Sequence, residues 1–195
     1  MYNLSRELWT AVRFTGVAIV GCGVLYPLVA VGLGALLFPD QAVGSVLEVD
    51  GRAVGSRMVG QPFVSERYLQ GRPSSCGHDP RALAGSNLAP SSVDLRTRAA
   101  TEAARLAAQE GVRADQIAVE LIAASGSCID PDVTMEAAAV QLPRIARSRG
   151  VSLAAVQAVV QDQAVGGGPW SLGPARVNVL EVNLALDRMP ADHAR

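Results

Sequence analysis

The residues best suited to do chemistry lie close together in the connection Ser125-Gly126-Ser127-Cys128-Ile129-Asp130-Pro131, which offers two hydroxyls, a thiol and a carboxylate. A serine or cysteine nucleophile needs a base, and the chain has two histidines, His78 and His193. Ser125 and Ser127 both lack the Gly-x-Ser-x-Gly elbow, so the nucleophile pattern is incomplete and no catalytic residue is assigned. An extracytoplasmic hydrolase acting through Ser125 or Cys128, with His78 as partner, remains an open alternative. The cysteines are Cys22, Cys76 and Cys128, with no Cys-x-x-Cys and no Cys/His cluster, so no metal site is expected. Cys76 and Cys128 pair if the domain lies in an oxidising compartment and are otherwise two thiols; both readings stay open. Gly-x-Gly-x-x-Gly and phosphate-loop patterns are absent, and Gly166-Gly167-Gly168-Pro169 opens no helix. The chain has no lysine, which removes Schiff-base chemistry and the phosphate-loop amine.

Groups of this kind act only when a scaffold holds them, and 49% apolar against 18% charged residues is the composition of a folded chain. Beyond residue 38, 15 Arg stand against 17 Asp and Glu, so the basic surplus that nucleic-acid binding requires is missing. Nucleic acid is not an expected partner.

Residues 14–38 carry no charge and place apolar side chains on every helical face, from Val17 and Ile19 to Leu36 and Leu37. A helix of 25 residues reaches about 37 Å, enough for a hydrocarbon core of about 30 Å. A cleaved signal peptide has a shorter apolar core, about 7–15 residues. Ile19-Val20-Gly21-Cys22 is similar to the lipid-attachment box of bacterial lipoproteins, which makes acylation at Cys22 a further alternative. The uncharged run continues to Phe38, however, as a retained span does. Arg6 and Arg13 before the span, and Asp40, Glu48 and Asp50 after it, place residues 1–13 in the cytoplasm and residues 39–195 outside. Pro27 interrupts the helix, and the Ala30-x-x-x-Gly34 pair suits close approach of a neighbouring helix.

In the outer part, Asp50-Gly51 predicts a hairpin between strands Val46–Val49 and Arg52–Val59. Gln61 to Ser92, rich in Pro, Gly, Ser and Asn, reads as a long irregular segment. Helices are expected from Val93 to Gln109, from a Thr134 cap to Arg149 with a kink at Pro143, and from a Ser152 cap to Gln163. Ile117–Ala123 and Val177–Leu186 read as strands, the latter with a bulge near Val179. The fold class is thus mixed α/β: one N-terminal transmembrane helix followed by a single extracytoplasmic α+β domain.

Five motifs follow the span in order: Gly55-Ser56-x-x-x-Gly60-Gln61, Tyr68-Leu69-x-Gly71-Arg72-Pro73-Ser74, Gly85-Ser86-Asn87-Leu88, Ala124-Ser125-Gly126-Ser127-x-Ile129-Asp130-Pro131, and Arg176-Val177-Asn178-Val179-Leu180 with Asn183-Leu184-Ala185-Leu186-Asp187. In this order and spacing the chain resembles KdpC, the C subunit of the Kdp potassium-transporting P-type ATPase. It departs from that pattern at Cys128, where Gly is usual, at Asp132, where His is usual, and at Pro174-Ala175, where Glu-Pro is usual. The resemblance implies an accessory, non-catalytic subunit in the inner membrane. Its implied partners are a potassium-translocating A subunit, an ATP-hydrolysing B subunit, a small F subunit and the lipid bilayer. It also implies a catalytic chaperone that raises the ATP affinity of the B subunit, sometimes with ATP contact by this subunit. An outward-facing domain does not meet cytoplasmic ATP, so no cofactor is expected. Because the span suits helix packing and the irregular segment serves no catalytic set, Ala30, Gly34, Arg72, Ser74, Asn87 and Asn178 are the expected partner contacts.

Overall fold

The computed structural model describes residues 3–168, 171 and 173–189; His193 and Pro169 lie outside them. The chain divides into two compact units, one ending at Val46 and the other starting at Leu47.

In the first unit, α1 (Leu4–Ala18) passes through wide π turns (Ile19–Leu25) into α2 (Tyr26–Leu37), and a single turn α3 (Pro39–Ala42) follows. The helical run from Leu4 to Leu37 has 34 residues, about 51 Å at ~1.5 Å per residue. It starts ten residues before the charge-free stretch because the Asn3 carbonyl accepts from the N–H of Arg6 and of Glu7, and the helix is established there. The interruption expected at Pro27 takes the form of the π turns. Proline has no N–H for the carbonyl four residues back, and in the turn before it the Tyr26 N–H reaches Gly21, five residues back.

A hairpin follows, β1 (Val46–Val49) and β2 (Arg52–Ser56), and all but its first residue belongs to the second unit. Its turn residues Asp50 and Gly51 both have positive φ, 52° and 72°, as a tight primed turn requires. Residues 57–92 then run without regular structure. Helix α4 (Val93–Glu110) starts at a Ser92 cap and stops at Gly111. Helix α6 (Met135–Arg149) starts where Thr134 Oγ1 accepts from the Ala137 N–H, runs through Pro143 and ends at Gly150. Helix α7 (Leu153–Asp162) has the Ser152 cap that its sequence predicts.

Two expected strands are corrected. Ile117–Ala123 is not a strand: a 3-10 turn (Ala114–Gln116) leads to the one-turn helix α5 (Val119–Ile122), which buries Leu121. Glu120 of that turn accepts from the Thr134 N–H at 2.9 Å and from its hydroxyl at 2.5 Å, a tertiary bond that an extended segment would not direct there. Nor is Val177–Leu186 a single bulged strand. Arg176–Asn178 (β4) pairs antiparallel with Asp132–Thr134 (β3), and Val179–Asp187 is helix α8. The change of phase at Val179 marks a strand-to-helix junction, with Asn178 Oδ1 capping the Glu181 N–H.

The core lies where α6 meets α4 and α7, α7 meets α8, and the β3–β4 ribbon lies against α6. Ile145, Val156, Val160, Val133, Val177, Val182 and Leu186 are fully buried there, each contributing roughly 1.5–3 kcal/mol.

Candidate functional site

The cluster with chemical potential is occupied by structural work. Cys128 is bonded to Cys76, with their Cα atoms 5.8 Å apart, so the thiol nucleophile and its pairing with His78 are not assembled. Ser125 is buried; its Oγ lies 3.1 Å from Ser127 Oγ, and its N–H donates to the Pro73 carbonyl at 2.9 Å. Asp130 accepts from Arg72 Nη1 at 2.9 Å and from the Asp132 N–H at 3.2 Å. Gly60 fits against this turn because its N–H donates to Ile129 O, while a Cβ there would stand 2.5 Å from the Asp130 carbonyl oxygen. Cys128, Asp130 and the Ser125 backbone therefore tie this turn to residues 72–76, while the Ser125 and Ser127 hydroxyls bond within the turn.

What the loops hold is a strap, residues 66–73, laid over α6 and α8. Two side-chain amides act on it as a neighbouring strand would. Asn183 Oδ1 accepts from the Leu69 N–H at 2.8 Å, and its Nδ2 donates to the Leu69 carbonyl at 2.9 Å. Gln141 does the same at Gln70, accepting from its N–H at 2.8 Å and donating to its carbonyl at 3.0 Å. Leu69 and Asn183 are 0% and 1% exposed. Arg144 donates Nη1 to the carbonyls of Glu66 and Tyr68, Nη2 to Gln141 Oε1, and Nε to both oxygens of Glu110, at 2.9 and 3.1 Å. At the far side Arg149 reaches the carbonyls of Arg67 and Leu186 and the carboxylate of Asp187, whose other oxygen accepts from the Tyr68 hydroxyl.

Glu110, Gln141, Arg144, Arg149 and Asn183 are the residues that sequence reasoning missed. Their signal was present for three of them: Gln141 and Arg144 interrupt the apolar stripe of α6, and Asn183 that of α8. A polar residue on a core-facing stripe needs a buried partner. Burial pushes the Glu110 carboxyl above its ordinary value, against the pull of Arg144. Burial also pushes the His78 imidazole down, with the Arg72 carbonyl working the other way. The hydrogen bond to Asp187 holds the Tyr68 phenol up.

Between the strap and α4 lies a cavity of about 420 Å³, walled by Phe63, Gln70, Arg72, His78, Gln109 and Gln141 among others. Of the expected partner contacts in the second unit, Arg72 lines it, and Ser74, Asn87 and Asn178 do not. Ala30 and Gly34 lie on α2 in the first unit. Arg72 is paired with Asp130, Ser74 Oγ accepts from the N–H groups of Cys76 and His78, and Asn178 caps α8 while donating to Arg57 O and Asp132 Oδ1. Asn87 is exposed, with φ 50°.

The chain matches the family described as KdpC: K+-transporting ATPase, c chain, over residues 8–188. The potassium-transporting ATPase KdpC subunit of Xanthomonas campestris pv. campestris is 45% identical over 170 residues, 87% of this chain and 81% of that protein. The subunit of the same name from Gloeobacter violaceus is 40% identical over 183 residues, 93% of this chain and 96% of its own length. That of Acidobacterium capsulatum is 41% identical over 186 residues, 94% and 99% of the two chains.

Proposed function

The chain belongs to the KdpC family, the c chains of K+-transporting ATPases, and from that premise we propose that it serves its complex as a structural subunit with no chemistry of its own. The observation that carries this reading is the family match over residues 8–188, which includes the apolar helix and the strap domain together. In this reading residues 1–13 face the cytoplasm, 14–38 span the inner membrane and 39–195 lie outside, beside an A subunit that passes potassium, a B subunit that hydrolyses ATP and a small F subunit. The Cys76–Cys128 disulfide supports the outward assignment, because such bonds persist in oxidising compartments. Any effect on ATP affinity then passes through the membrane helices as coupling between sites, without ATP contact by this chain.

Attachment is two-part: the small-residue face at Ala30 and Gly34 packs against a partner helix, and the strap domain presents an outer contact. Replacing Ala30 and Gly34 together by Leu blocks close approach without reducing hydrophobicity. The expected result is normal membrane insertion with reduced co-purification of the A and B subunits. Full co-purification of this variant would refute the role of the span in attachment, and digestion of the outer domain by protease added to spheroplasts tests the orientation separately.

A further inference from the structure

The segment Ser74–Leu88 forms a lobe that contributes no fully buried residue to the domain, in contrast to Leu69 just before it. Its turns are closed by its own groups: Ser74 Oγ takes the N–H of Cys76 and of His78, Ser75 Oγ donates to Ala84 O, and Asp79 Oδ1 takes the Arg81 N–H. The buried centre against which it sits is the sulfur of Cys128, 0% exposed, 3.7 Å from the Ala82 carbonyl oxygen. Three of the five non-glycine residues with positive φ are in this lobe or its partner turn: His78 (62°), Asn87 (50°) and Cys128 (63°). Such backbone is costly and persists only where surrounding structure enforces it. Beside the close approach of His78 to Gly60 and of Gly85 to Gly126, the disulfide is the covalent restraint on this backbone.

We propose that the Cys76–Cys128 disulfide is a redox latch: oxidised, it holds the lobe in place; reduced, it frees residues 74–88 while the strap and helical core stay folded. The core does not depend on it, since Leu69 and Gln70 are held by Asn183 and Gln141, which the bond does not touch. The geometry also sets the direction of the chemistry. Cys76 is half-buried and Cys128 fully buried, so an incoming thiolate attacks Cys76 Sγ. The Cys76–Cys128 bond breaks, Cys128 leaves as a thiolate and takes up a proton, and a mixed disulfide remains at Cys76. The second thiol of a dithiol reductant then displaces Cys76. The protein gains two electrons and two protons, and the reductant becomes a disulfide. A consequence for partner docking rests on the outward-facing subunit proposed above and is read out separately.

The test uses the full chain in detergent, oxidised or treated with a dithiol, followed by amide hydrogen exchange and trypsin. Arg81 is the one trypsin site between Cys76 and Ser92, since the chain has no lysine. Reduction should speed cleavage at Arg81 and exchange across 74–88 at least tenfold, with exchange in α6 and α7 unchanged. Glutathione at limiting concentration should give its first adduct on the Cys76 peptide. Cys76→Ser with Cys128→Gly, which relieves the left-handed backbone at 128, should reproduce the reduced pattern without any reductant. Equal protection of the lobe in both redox states, simultaneous loosening of α6 and α7, or a first adduct on Cys128 would each overturn the proposal. Co-purification with the A and B subunits, compared between oxidised and reduced chain, reports on docking alone and leaves the exchange result as the measure of the latch.

Discussion

Replacing Asn183 by Ala tests whether side-chain amides, and not hydrophobic contact alone, hold the strap. The mutation removes two bonds of 2.8 and 2.9 Å to the backbone of Leu69, in a site with almost no access to water. If the strap stays in place, one N–H and one C=O are left buried without partners. Each costs roughly 1–3 kcal/mol, giving about 2–6 kcal/mol in all. If the strap instead lifts so that water satisfies both groups, the burial of Leu69 is lost, about 2 kcal/mol, and the Gln141 bonds to Gln70 go with it. Both routes set a floor near 2 kcal/mol, well above the ~0.5 kcal/mol typical of surface substitutions. The assay is urea unfolding of the full chain in detergent, followed by circular dichroism. Asn183→Asp sharpens it. The carboxylate keeps an acceptor for the Leu69 N–H but turns a second oxygen towards the Leu69 carbonyl, where protonation restores a donor. Its folded-state pKa is therefore raised, and the stability it contributes is present at low pH and lost as pH rises through that pKa. The deficit of Asn183→Asp relative to the unmodified chain should shrink on acidification, while that of Asn183→Ala should follow the unmodified chain. A loss below about 1 kcal/mol for Asn183→Ala, or a pH-independent deficit for Asn183→Asp, would refute the reasoning.

Arg144→Met leaves the Glu110 carboxyl buried without its guanidinium and should destabilise the chain by about 3–5 kcal/mol, whereas Arg144→Met with Glu110→Met should recover most of the loss; urea midpoints for the two variants decide between them. His78, its pKa held below the ordinary 6.5 by burial, is neutral in the folded chain over a range where the unfolded chain protonates it. Stability should fall as pH drops below 6.5, and an imidazole titration by NMR that centres at or above 6.5 would contradict this.

The parts legible in the sequence are those fixed within a few residues of chain. The uncharged run after Arg13, the Asp50-Gly51 turn, and the caps Ser92, Thr134 and Ser152 each rest on local hydrogen bonding or hydropathy, and the structure has them where the sequence places them. The irregular stretch before Ser92 was legible too, because Pro, Gly, Ser and Asn disfavour both regular ladders. Val177–Leu186 was misread because apolar residues at alternate positions also satisfy a short strand joined to a helix. The choice fell to Asp132–Thr134, far away in the chain, which pairs with Arg176–Asn178 and leaves Asn178 free to cap α8.

The apolar run after Arg13, the caps of α4, α6 and α7 and the order of the family motifs were determined by the sequence alone. Tertiary structure decided what those motif residues do. Arg72 meets Asp130, Leu69 meets Asn183, Gln70 meets Gln141 and Cys76 meets Cys128 only after the irregular segment has been laid across α6 and α8. The reason is energetic: a buried amide is costly until its partner arrives, and partners separated by 52 to 114 positions are brought together only by the collapse of the core between them.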